Sequence, residues 1–182
     1  MRVLWSHGLD AAPWGAKISS LAEVAGRLGF EVTALDYRDL TDPDDRVDRL
    51  VKTCGELAEP LVLAGSSLGG YVSIMAAGRV EVRGLFLLAP ALFRPGLKAL
   101  PDVGQIRPVT MVHGWRDEVL PVDESVRFAR HCRATLHIVD GDHRLKENIG
   151  DLGLYFRQFL EAVRAGDQGS RSSPSSGNFG AG

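Results

Sequence analysis

The sequence predicts an α/β domain, and two observations carry that prediction. Short apolar runs alternate along the chain with longer runs whose apolar residues recur at helical spacing. One of the short runs, Leu61 to Ala64, is apolar, as expected of a strand covered on both faces of a parallel sheet. A length of 182 residues favours one domain. With 45% hydrophobic and 24% charged residues, the chain can bury a sizeable core and falls outside the disordered class.

The elements follow in order. Val3 to Trp5 reads as a strand. Pro13 to Leu28 reads as a helix, with Ile18, Leu21, Ala22, Ala25 and Leu28 near one face and Gly29 ending it. Phe30 to Leu35 is the next strand. The acidic turn Asp42-Pro43-Asp44-Asp45 leads into a helix over Arg46 to Ala58, and Pro60 blocks its continuation. Leu61 to Ala64 is a strand, Leu68 to Gly78 a helix and Gly84 to Ala89 a strand. Phe93 to Arg107 is mostly connection, punctuated by prolines. Val109 to Val112 is a strand, Val122 to Cys132 a helix and Thr135 to Val139 a strand. Lys146 to Val163 forms a last helix with Ile149, Leu152, Tyr155, Phe156, Phe159 and Leu160 as its apolar stripe.

From Gly166 the character changes. Five of the last 17 residues are glycine and five are serine, so ordering this segment would bury too little to offset its entropy. The expected organisation is a folded domain over residues 1–165 and a flexible Gly/Ser-rich tail over 166–182.

Composition excludes several classes. A net charge of −2 predicts no general attraction to nucleic acid or to an anionic membrane. No apolar run approaches the ~18 residues of a membrane span. The opening Met1 to Gly8 turns polar too soon for a signal peptide, which makes the cytoplasm the expected location. Cys54 and Cys132 form neither a disulfide framework nor a Cys-x-x-Cys pair.

The strongest chemical signal is Gly65-Ser66-Ser67-Leu68-Gly69, a Gly-x-Ser-x-Gly pattern between a buried strand and an apolar helix. In that context the chain must turn sharply, with Ser67 at the apex and its hydroxyl raised above the sheet edge. The helix that follows aims its first N–H groups at the same point, favouring developing negative charge. Ser66 is a weaker candidate because its flanks do not fit the pattern. The other reading of Ser67 is a helix cap. The turn matches neither Gly-x-x-x-x-Gly-Lys-Ser/Thr nor Gly-x-Gly-x-x-Gly, so nucleotide binding is disfavoured.

A serine hydroxyl needs a base to take its proton. Of the five histidines, His143 follows the last strand in Val139-Asp140-Gly141-Asp142-His143, where a loop can reach back to the elbow. His137 alternates with apolar neighbours in a strand, His131 ends a helix, and His113 and His7 read as holding their loops. An orienting carboxylate should follow a strand at the same rim. His113-Gly114-Trp115-Arg116-Asp117 supplies Asp117, with Glu118, Asp142 and Asp140 as competitors. Ser67, Asp117 and His143 then occur in the Ser–Asp–His order of one hydrolase architecture.

Acyl transfer also needs donors for an oxyanion. The Leu68 backbone N–H is one. The other is expected from Ser6-His7-Gly8-Leu9-Asp10, at the Leu9 N–H, with Gly8 as runner-up. Trp14, Leu92, Phe93 and Trp115 are candidate pocket residues; helix packing explains Trp14 equally well.

These segments, together with Leu88-Ala89-Pro90-Ala91 and Gly141-Asp142-His143-Arg144-Leu145, resemble a small lidless bacterial α/β-hydrolase of the carboxylesterase-like kind. The resemblance spans residues 1 to about 160. It implies a three-layer α/β/α sandwich around a mostly parallel sheet of about six strands. The Phe30 and Thr135 strands would lie at the edges. The short Leu92 to Pro108 connection leaves no substantial cap domain. It also implies Ser67 as nucleophile, His143 as base and Asp117 as acid. The expected activity is hydrolysis of small or medium acyl esters or thioesters, with no cofactor and no metal. Alternatives are an acyl-thioesterase, peptidase or acyltransferase with the same triad, or a non-catalytic scaffold. A metal site from His113, His143 and nearby aspartates is a further, weaker reading.

Overall fold

The computed structural model describes residues 1–171. Six strands, β1 (Arg2–Ser6), β2 (Glu31–Leu35), β3 (Leu61–Ser66), β4 (Leu85–Leu88), β5 (Val109–Gly114) and β6 (Thr135–Val139), form one sheet in the order β2-β1-β3-β4-β5-β6. Every pairing is parallel. The expected edge strands are the observed ones.

Five helices cover the two faces: α1 (Ala16–Arg27), α2 (Pro43–Gly55), α3 (Leu68–Ala77), α4 (Val122–Cys132) and α5 (Ile149–Arg171). Alternation along β1 shows how the layers divide. Val3 and Trp5 enter a core with Leu21 and Ala25 of α1 and Phe156 and Leu160 of α5. Leu4 enters the opposite core with Leu50 of α2, Ile74 of α3 and Phe128 of α4. Period-two strands feeding helices on both sides give the three-layer sandwich.

Several helix boundaries differ from expectation, among them the start of α1, at Ala16 instead of Pro13. Helix α2 starts at Pro43, because Asp42 caps it through a 2.8 Å bond from the Asp44 N–H and Pro43 is preset for the first turn. The acidic segment is therefore the start of the helix and not a turn before it. It also ends earlier than expected, at Gly55. Helix α5 starts at Ile149 instead of Lys146 and continues past Val163 to Arg171. The remainder of the expected flexible tail, residues 172–182, lies outside the described residues.

The connection from β4 to β5, residues 89–108, contains no helix or strand, so no cap is folded over the strand ends. Chain order reverses between β1 and β3, and the crevice at such a switch point is where open parallel sheets place ligands. Among the described residues, no helix is long and apolar enough to cross a membrane.

Candidate active site

The candidate site forms at the carboxyl ends of β1, β3, β5 and β6. Ser67 stands between β3 and α3 with φ 56° and ψ −123°, a left-handed backbone that costs a non-glycine residue roughly 1–3 kcal/mol. Neighbouring backbone holds it there. Its N–H donates to the Leu88 carbonyl at 3.0 Å, and its own carbonyl accepts from Gly70 at 2.9 Å and Ala91 at 3.0 Å. The side chain makes no capping bond to α3, which removes the helix-cap reading.

Glycine is needed here for space. A methyl at Gly69 would collide with the Ser6 carbonyl and stand 2.7 Å from the His7 carbonyl oxygen. One at Gly65 would collide with the Gly69 carbonyl and stand 2.7 Å from Ser73 Oγ. The first turn of α3 thereby presses against the end of β1. Gly69→Ala is expected to force these backbones apart at a cost of about 2 kcal/mol, lowering Tm by roughly 4–8 °C. An unchanged melting temperature would show that the contact relaxes freely.

His143, on the loop after β6, places Nε2 3.1 Å from Ser67 Oγ and Nδ1 2.7 Å from Asp117 Oδ2. Ser67, His143 and Asp117 therefore lie in one hydrogen-bonded line. The Asp117 side chain is fully buried, and the other carboxylate oxygen, Oδ1, accepts the Val119 and Leu120 N–H groups at 2.9 and 2.8 Å. Burial pushes the carboxyl up. The Leu120, His143 and Val119 bonds outweigh it and hold Asp117 below the ordinary carboxylate range. The competing carboxylates are engaged elsewhere. Asp142 accepts from the Arg144 and Leu145 N–H groups, Asp140 pairs with Arg116 at 2.6 Å, and Glu118 is exposed.

A second imidazole reaches the same carboxylate. His113 is fully buried, with Nε2 3.0 Å from both Asp117 Oδ2 and the Leu120 carbonyl. Facing two acceptors, Nε2 carries the hydrogen, so Nδ1 accepts the Ser125 hydroxyl at 2.7 Å. Burial pushes His113 down, which favours this neutral form. Sequence reasoning placed His113 at its loop but missed its contact with Asp117 and missed Ser125 altogether. The available signal was the four-residue spacing of His113 and Asp117 across one turn beyond β5.

The loop after β1 runs close to Ser67: a methyl on Gly8 would stand 3.3 Å from Ser67 Cβ. His7 ties this loop down. Its Nδ1 donates to the Gly8 carbonyl at 2.7 Å, and its Nε2 accepts the Tyr37 N–H at 2.9 Å. Of the candidate oxyanion donors, Leu9 follows Gly8 on this loop, and Leu68 follows Ser67 at the first position of α3, where helical N–H groups lack intrahelical partners.

The candidate pocket residues separate. Trp14, Phe93 and Trp115 are 51%, 40% and 63% exposed on rim loops, and Leu9 and Val119 are exposed as well. Leu92 does not join them. It is buried in the core cluster with Tyr71 and Val103, so it supports the rim from below and does not wall an open groove. His137 stacks on Tyr155 at 3.8 Å and His131 is exposed on α4, both away from Ser67. Among the described residues, no group of three or more His, Cys, Asp or Glu side chains is placed to hold a metal ion.

The fold recurs in solved structures. A protein of the alpha/beta hydrolase superfamily from Xanthomonas campestris pv. campestris is 32% identical, with TM-score 0.82 over 88% of this chain and 98% of its own. Est1E from Butyrivibrio proteoclasticus shares the fold at 18% identity and TM-score 0.76, over 90% of this chain and 88% of its own. The esterase domain of a Rhodothermus marinus protein does so at 19% identity and TM-score 0.68, over 90% and 86%. Among curated protein sequences none matches. The family model for alpha/beta hydrolases matches residues 3–170, nearly the whole described chain. On that match, and on a parallel sheet whose strand ends gather these loops, the chain belongs to the alpha/beta hydrolase family.

Proposed function

We propose that this protein is a serine hydrolase that cleaves small or medium acyl carboxylic esters through an acyl-enzyme on Ser67. The observation that carries the reading is the line from Ser67 Oγ through His143 to Asp117, at 3.1 and 2.7 Å. Hydrogen-bond reach between nucleophile and base, with the base oriented by a third group, is what activates a hydroxyl.

In the first step His143 Nε2 takes the Ser67 proton as Oγ attacks the carbonyl carbon. Asp117 holds Nδ1–H toward itself, which fixes the tautomer and stabilises the imidazolium. The tetrahedral oxygen forms against the Leu9 and Leu68 N–H groups, each such donor being worth roughly 3 kcal/mol. His143 then protonates the departing alcohol. Water activated by neutral His143 cleaves the acyl-enzyme, releasing the acid and restoring Ser67. The uncapped site and its exposed Trp14, Phe93 and Trp115 suit an apolar or aryl acyl group. Est1E, which shares the fold, has been solved with ferulic acid, an aromatic carboxylic acid, bound to it.

The test is covalent. Treatment with a fluorophosphonate followed by peptide mapping is expected to give one stoichiometric adduct, on Ser67, together with loss of short-chain aryl ester turnover. An adduct on a different serine, or full activity after complete labelling of Ser67, would sink the proposal.

A further inference from the structure

We propose that Lys17 is a positioning residue whose side-chain nitrogen ties the loop carrying Ser67 to the loop carrying His143. This rests on the serine-hydrolase reading and adds to it a part that the triad does not contain.

Lys17 lies in the first turn of α1, directly after the loop that carries Leu9. Its Nζ donates to Ser66 Oγ at 3.3 Å and to the Arg144 carbonyl at 3.1 Å. Ser66 is the neighbour of Ser67, and Arg144 is the neighbour of His143. One nitrogen thus spans three segments far apart in sequence: α1, the end of β3 and the loop after β6. The last two carry Ser67 and His143, so their mutual placement sets the Ser67–His143 distance.

The position of Lys17 is itself unusual. The buried stripe of α1 is Ile18, Leu21, Val24 and Ala25. Lys17 stands four residues before Leu21, on the side of the helix turned toward the sheet. A charge there loses hydration unless it is compensated. Burial accordingly pushes the Lys17 amine down to about 8, against the opposing pull of Asp142 on the same loop as Arg144. The two acceptors it reaches are uncharged, so both bonds are charge-assisted only while the ammonium keeps its proton. As pH rises through about 8 the ammonium becomes an amine, those bonds weaken, and the two loops are held less firmly.

The consequence is a defect in the chemical step and not in substrate affinity. A misplacement of about 1 Å between reacting groups can cost on the order of a hundredfold. For Lys17→Met, which keeps the apolar stem, we expect kcat on p-nitrophenyl acetate to fall about tenfold or more, with KM within about twofold. The rate of fluorophosphonate labelling at Ser67 should fall in parallel. The parent should show a decline in acylation centred near pH 8 that the variant lacks. Lys17→Arg, which does not lose its proton in this range, should recover part of kcat without the alkaline decline.

An unchanged kcat in Lys17→Met overturns the inference. So does a raised KM at unchanged kcat, which would make Lys17 a substrate contact. Should Lys17→Met fail to fold, the parent's own profile decides, and an acylation rate flat through pH 8 overturns it. The underlying reading fails separately, when Ser67→Ala turns over substrate like the parent. An inert Ser67→Ala beside an unaltered Lys17→Met leaves that reading standing and removes only the role of Lys17.

Discussion

Ser67→Ala is expected to cut ester turnover on the order of 10⁴-fold or more while leaving Tm within a few degrees of the parent. The substitution removes one atom. In the fold that oxygen is bonded to His143 Nε2 at 3.1 Å and caps no helix, so little stability depends on it. The left-handed backbone at this position is held by Leu88, Gly70 and Ala91 through main-chain bonds that an alanine keeps. Loss of catalysis without loss of structure separates a reacting group from a packed one. The measurement pairs initial rates on p-nitrophenyl acetate with thermal denaturation. A variant that retains activity within about tenfold of the parent would assign the chemistry to another residue.

The second large effect is expected at His143→Ala. Without the imidazole, Ser67 keeps its proton and attacks only as a weak neutral hydroxyl, so the fall should rival that of Ser67→Ala. The structural cost should stay limited to about 1–3 kcal/mol. Asp117 loses the donor at 2.7 Å but keeps the Val119 and Leu120 N–H groups, and His113 still faces it. The vacated space opens toward solvent, because His143 is the partly exposed member of the line. Added imidazole should therefore restore part of the acylation rate. Parent-like rates without imidazole would transfer the base to another histidine.

Local signals made much of the architecture readable. Val122–Cys132 and Thr135–Val139 run over the residues that amphipathic spacing and β-branched content indicate. The continuous apolar run at Leu61 reads as a central strand, and β3 does pair on both sides. The turn around Ser67 was legible because its steric demand is written as glycine at two fixed offsets. Contacts made across the fold were not legible. The four-residue spacing of His113 and Asp117 is only a hint that His113 shares Asp117 with His143, since that depends on how the turn after β5 folds back. Lys17 was overlooked because a lysine near a helix start passes for a solvated one; its place in line with Leu21 was the available warning. Leu92 was misplaced for the converse reason, as an apolar residue in a connection can turn inward as easily as outward. Reading Asp42 to Asp45 as a turn puts the start of α2 three residues late, because Pro43, one residue past an aspartate cap, is a helix starter.

The bare stretch over residues 89–108 bears on selectivity. With no roof, a bound molecule rests against a wall and keeps its far side wet. Carbons that extend past the rim then gain none of the ~0.8 kcal/mol that each methylene contributes on burial. Rates along a homologous series should climb while the chain is still short enough to lie against Trp14, Phe93 or Trp115, and level off once it overhangs them.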